Sequence, residues 1–230
     1  MSRDIGAACI SDHDRSGRML ATAALVGLGV FVLAGVAVQF LRADLDWLHA
    51  PMSFYLLGPY GVWLQIAYFA LAGTLVLLGT GYYRALSLQA RSGAPLLLFA
   101  VAAVALCVTA IADSNLPRRE PTLQGWMHGV AAQTAFLCVT TAMLLQSWRL
   151  RGDARWRRRF ALAFALAAIA FIAVWVLAFW RDAPRGLAQK TVVALIVGWL
   201  ALATVWLRRH GSATGCVSAG EGALLPPTRS

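Results

Sequence analysis

The chain has 230 residues, of which 60% are hydrophobic and 13% charged, against about 45–50% and about 25% in ordinary soluble domains. Its formal net charge is +10 and its mean hydropathy +0.67. A soluble fold of this size has too little interior to hide so much apolar surface, and four Cys are too sparse for a secreted disulfide scaffold.

A helix crosses the hydrocarbon with roughly 20 mostly apolar residues. Runs free of Asp, Glu, Lys and Arg cover 19–41, 47–83, 92–112, 121–148, 160–180 and 191–207. They are continuous and do not alternate with period two, which argues against a barrel. The second run is too long for one span and too short for two. Pro51, Gly58 and Pro59 break its first part, because Pro is a poor helix-interior residue. The reading is an all-α, polytopic transmembrane bundle of six helices, at about 19–41, 61–83, 94–112, 126–148, 160–180 and 190–207. Residues 47–60 then form an outer segment in the membrane interface, with Trp47, Phe54, Tyr55 and Tyr60 among the headgroups, where aromatic rings prefer to sit. Residues 1–18 precede the spans. The segment 210–230, rich in Gly, Ala and Ser, is expected to be a disordered tail.

Lys and Arg set orientation. The side holding both termini and the second–third and fourth–fifth connections carries 14 of them, and the other side 6. Both termini are therefore expected in the cytoplasm, and the protein in a bacterial inner membrane. Arg149, Arg151, Arg155, Arg157, Arg158 and Arg159 crowd one connection. Beside a span such a run holds topology and meets anionic lipid headgroups, at about 1 kcal/mol per basic residue, so no nucleic-acid partner is expected. Close-approach motifs such as Ala23-x-x-x-Gly27, Ala161-x-x-x-Ala165 and Ala163-x-x-x-Ala167 serve helix packing. They are equally compatible with a membrane-protein partner or a homo-oligomer.

The apolar runs lack what ion or substrate pathways usually carry, since ionisable groups at mid-membrane are expensive and tend to mark such paths. A facilitative transporter therefore ranks below binding and below catalysis. Polar residues gather instead at the outer ends: Asp44, Asp46, His49, Ser53 and Gln65 in the first hairpin; Asp113, Gln124, His128 and Gln133 in the second; Asp182 and Gln189 in the third. Asp44, Asp113 and Asp182 are each 69 residues from the next, which is either the trace of a tripled hairpin or the result of three hairpins of similar length. Gln124 and His128 are an i, i+4 pair able to face one pocket, and Gln65, Gln124 and Gln133 are candidate ligand-binding residues.

Two accounts of this rim stay open. In one, Arg42, Arg118 or Arg119, and Arg181 or Arg185 neutralise the aspartates. In the other, Asp46, His49, Asp113 and His128 converge on a cation or a lipid or peptide headgroup, since carboxylate with imidazole suits a divalent metal. A hydrolytic version adds Ser53 as nucleophile. No spacing demands a cofactor, and none is expected.

Three stretches carry a resemblance. Asp46-Trp-Leu-His-Ala-Pro-Met-Ser-Phe-Tyr, with Gly58-Pro-Tyr-Gly61, leads into span two. Ala112-Asp-Ser-Asn-Leu-Pro117, then Pro121-Thr-Leu-Gln-Gly125-Trp-Met-His128-Gly, leads into span four. Arg185-Gly-Leu-Ala-Gln-Lys190 opens span six. Together they resemble the bacterial and archaeal six-helix membrane family catalogued as domain of unknown function 998. The resemblance implies six helices and points to Asp113 and His128 as the family-like polar pair; it implies no particular activity. The expected function is non-catalytic binding, sensing or partner support at the outer face. The alternative is a hydrolase-like enzyme acting on a lipid or other headgroup.

Overall fold

The computed structural model describes the backbone of residues 2–115, 120–180 and 182–221, and the side chains of 17–115, 120–180 and 182–209. Six helices follow in order: α1 Ser2–Leu41, α2 Gly61–Ala85, α3 Gly93–Ile111, α4 Leu123–Arg151, α5 Phe160–Phe179 and α6 Arg185–Glu221. No strand occurs among the described residues. All six are long and apolar enough to cross a membrane, over Gly17–Leu41, Gly61–Ala85, Gly93–Ile111, Leu123–Arg151, Arg157–Phe179 and Arg185–Arg209. Helices satisfy their own backbone hydrogen bonds, so they are the form that such apolar runs take in hydrocarbon.

Their ends are set locally. Ser92 accepts a hydrogen bond from the Ala94 amide, and Thr122 one from the Gly125 amide, each relieving an orphan donor of a first turn. Pro95 sits in the first turn of α3, where a missing N–H costs little. α6 continues as helix to Glu221 over part of the segment expected to be disordered. Extending an existing helix costs far less than starting one, which compositional reasoning on the tail alone does not weigh.

Each helix packs on its neighbours in sequence, and α6 closes the ring against α1. Small residues permit the closest approaches. A Cβ added at Gly27 in α1 would lie 2.5 Å from Thr74 Oγ1 and 2.8 Å from the Ala70 carbonyl oxygen on α2. Ala163, Ala167 and Ala170 turn inward on α5, and the Trp199 indole of α6 donates to the Ala163 carbonyl at 2.9 Å. Ala161 and Ala165 face outward, so only one of the two overlapping alanine motifs serves the bundle. Leu64, Leu78, Phe99, Met143 and Leu200 fill the middle, while Leu33, Phe40, Ile66, Val104 and Ile172 are exposed, as suits a bundle whose surroundings are hydrocarbon.

The two ends differ. One is formed by the α2–α3 and α4–α5 connections and is rich in arginine. There Asp153, 4% exposed, accepts from the amides of Ser87 and Arg155, both at 3.0 Å, and from the Arg155 guanidinium. Arg155 also donates to the Ala85 carbonyl. Burial works against ionisation of Asp153, but the Arg155 side chain and the two amides outweigh it and bring its pKa down to about 2. Nearby, Trp156 is fully buried against Tyr82, and Arg159 lies over both Trp156 and Trp206. Two arginines of the run are thus structural. Arg149, Arg157 and Arg158 remain exposed.

The opposite end holds the other three connections. A 3-10 turn, Met52–Leu56, folds in under the helices and buries Met52, Tyr55 and Leu56. Tyr55 is fully buried rather than lodged among headgroups, because the turn carries it inward against the Lys190 ammonium, 5.2 Å from its ring centre. Trp47 and Tyr60 do stay exposed.

Candidate functional site

The first connection is held by ion pairs and turns. Arg42 makes a two-pronged contact with Asp44 at 2.8 Å and donates a third bond to the Leu57 carbonyl. The Asp44 bond raises the Arg42 pKa and holds the Asp44 carboxyl below its usual range. Asp46 accepts from the Leu48 amide and lies 2.6 Å from His49 Nδ1, and the His49 bond lowers its pKa. Both Asp46 and His49 are exposed. Lys190 donates to the carbonyls of Trp47 and Ala50. Gly186 lets the first turn of α6 come down on this loop: a Cβ there would sit 2.6–2.8 Å from the carbonyl oxygens of Ala50, Leu48 and Trp47.

The second connection is clasped by Asn115, whose side chain accepts from the amide and hydroxyl of Thr122, both at 3.1 Å. Asp113 is exposed, whereas His128 is 6% exposed. His128 places Nδ1 2.8 Å from the Ala112 carbonyl oxygen. A carbonyl can only accept, so Nδ1 carries the hydrogen, and Nε2 of the neutral ring is left as an acceptor. No ion pair joins Asp113 to His128, and no three His, Cys, Asp or Glu side chains come together as a metal site among the described residues. The expected convergence of Asp46, His49, Asp113 and His128 is therefore resolved into one exposed pair, one exposed carboxylate and one buried imidazole. Arg118, Arg119 and Arg181, offered as neutralising partners, lie outside the described residues.

What His128 does share is a cavity. An apolar space of about 70 Å³ lies inside the ring of helices, walled by residues such as Phe31, Tyr68, Leu75 and Phe136, with Ser53, His128 and Gln189 contributing polar atoms. A groove of about 550 Å³ borders it on α4, α5 and α6, lined by Gln133, Leu137, Trp175 and Arg185. Ser53, His128, Ala132, Phe136 and Gln189 line both, so the two form one recess. Its polar groups belong to the N-terminal halves of α4 and α6, to the last turn of α3 (Thr109) and to the 3-10 turn, and hence gather toward one end. Gln189 accepts from the Met52 amide at 2.7 Å, which fixes its oxygen inward on the turn and leaves its NH₂ to donate elsewhere. A recess mostly apolar, with a few placed polar groups, is the usual form of a small-molecule site.

Of the residues singled out from sequence, the recess gathers Ser53, His128 and Gln133. Gln124 is exposed and does not line it: the i, i+4 relation put it near His128, but His128 turns inward and Gln124 does not. Gln65 is half-buried and lies elsewhere. Gln189 and Arg185 are the lining residues that sequence reasoning left as ordinary rim polarity. Their i, i+4 spacing at the start of α6 was the available signal.

Comparison with curated proteins and with solved structures gives no match. The family model described as "Protein of unknown function (DUF998)" matches residues 25–206, which takes in most of the first span, the next four spans, nearly all of the sixth and the whole recess, and the chain belongs to that family.

Proposed function

We propose that this protein binds an amphiphilic molecule without transforming it, in a bacterial cytoplasmic membrane and with both termini in the cytoplasm. The orientation rests on the excess of Lys and Arg on the termini's side. It puts the exposed Arg149, Arg157 and Arg158 where anionic headgroups are met, and the recess at the outer leaflet. One observation carries the binding reading: Ser53, His128, Gln133, Arg185 and Gln189 stand toward one end of a recess whose deeper walls are almost wholly apolar. Cavities walled by Leu, Ile and Phe stay dry, so an apolar chain suits this one better than water does.

The test is photolabelling with a single-chain amphiphile bearing a diazirine in its tail. Label should concentrate on α4 and α6 around Phe136 and Val193, and Ala132→Trp, which fills the shared wall, should cut it at least about fivefold, the effect of roughly 1 kcal/mol. Label spread evenly over the outward faces of all six helices, and unchanged in Ala132→Trp, would contradict it.

A second reading, hydrolysis of a lipid or other headgroup ester, draws on Ser53 and His128 lining one recess with His128 Nε2 free to accept a proton. Covalent capture of Ser53 by an alkyl fluorophosphonate, abolished in His128→Ala, is the result that would replace binding with catalysis.

A further inference from the structure

We propose that the ligand is a single-chain lipid ending in a phosphate monoester, its phosphate held by Arg185, Gln189, Ser53 and His128. The inference rests on the binding reading above and assigns its head. It follows from counting hydrogen-bonding capacity. Gln189 has spent its oxygen on the Met52 amide and offers only its NH₂. The Ser53 hydroxyl has no hydrogen-bond partner among the described residues, and Arg185 makes no ion pair among them. Arg185 is also the first residue of α6, where the helix dipole is positive. These groups call for several acceptor oxygens and negative charge. No carboxylate lines the cavity or the groove among the described residues, so a cationic or zwitterionic head finds no counter-charge there for its positive end.

The count of oxygens decides among the anions. His128 is nine-tenths buried and its Nδ1–H is committed to the Ala112 carbonyl, which leaves Nε2 to meet the head, as an acceptor in the neutral ring or as a donor in the imidazolium. A carboxylate has two oxygens for the donors of Arg185, Gln189 and Ser53. A phosphate monoester presents three and, with a second pKa of about 6, meets Nε2 with an O–H or with an oxygen. A fork of guanidinium N–H groups suits phosphate oxygens well. The tail is limited to one chain, because the groove leads into a cavity of only about 70 Å³.

The test uses the full chain in nanodiscs of zwitterionic lipid, with dodecyl phosphate, dodecanoate, dodecanol and inorganic phosphate as probes. Dodecyl phosphate should bind at least about tenfold tighter than dodecanoate or dodecanol, and Arg185→Gln should remove about tenfold of that while leaving dodecanol binding unchanged, as losing one charge-assisted contact predicts. Arg185 is exposed, so its unfolding temperature should not move, and Arg185→Lys should recover part of the loss. Equal binding of the three chains would overturn the head assignment and leave the binding reading standing. Binding of none would overturn both. Displacement of dodecyl phosphate by an equal concentration of inorganic phosphate would mean a free-anion site and overturn the lipid assignment.

Discussion

His128 and Asp153 are buried ionisable side chains at opposite ends of the molecule. His128 has a single hydrogen-bond partner among the described residues, the Ala112 carbonyl. His128→Ala should lower stability by about 1 kcal/mol, the worth of one such bond, and the protein should still accumulate in the membrane. Amphiphile binding should fall about tenfold, a loss of about 1.4 kcal/mol. Full binding in that variant, measured by photolabelling, would remove His128 from the site. Asp153 behaves differently, because each of its oxygens is used within the protein. Its folded pKa of about 2 lies below the ordinary 3.8. A depressed carboxyl contributes stability that is complete above the unfolded value and disappears as pH falls through the folded one. Unfolding of the detergent-solubilised protein should therefore lose on the order of 1–2 kcal/mol between about pH 4 and pH 2, after allowance for screening at the bundle's end. Asp153→Asn should flatten that part of the profile. An unchanged pH dependence would show that Asp153 is not the group responsible.

At the scale of helices, the contact between α1 and α2 depends on having no side chain at Gly27. Gly27→Leu should prevent the two helices from closing, costing at least about 1–3 kcal/mol of overpacking, and should appear as aggregation on size exclusion. Gly29→Leu is the control, since open space surrounds that position and its variant should remain monodisperse. If both behave alike, the α1–α2 packing is wrong. The helices themselves were legible in the sequence because hydrocarbon imposes a length and bars charge, and both constraints act residue by residue. The inward faces were not. Nothing local distinguishes Ala163 and Ala167, which are buried in the bundle, from Ala161 and Ala165, which are exposed. The burial of Tyr55 escaped the same way: an aromatic residue near a membrane surface fits the interface, and only the 3-10 turn and Lys190 explain why it goes under the bundle.

For the whole molecule, the sequence pattern already placed polar groups at one end and left the middle apolar, and Thr74, Thr109, Thr140 and Thr204 accord with it by bonding back to carbonyls of their own helices. The partners within the rim were beyond it. His128 finds a backbone carbonyl 16 residues away instead of the Asp113 carboxylate, and Gln189 reaches Met52 across 137 residues. Such pairings follow from how α4 and α6 seat against the loops, which no spacing encodes. The proposed recess opens at the outer end and is sealed from water within the bundle. It is tested most directly in intact cells with single cysteines in a cysteine-free background, treated with a membrane-impermeant maleimide. Gln189→Cys should label from outside and be protected by dodecyl phosphate, while Val197→Cys, deeper in the same cavity, should stay unlabelled from either side. Labelling of Val197→Cys, or labelling of Gln189→Cys only after the cells are opened, would contradict the account.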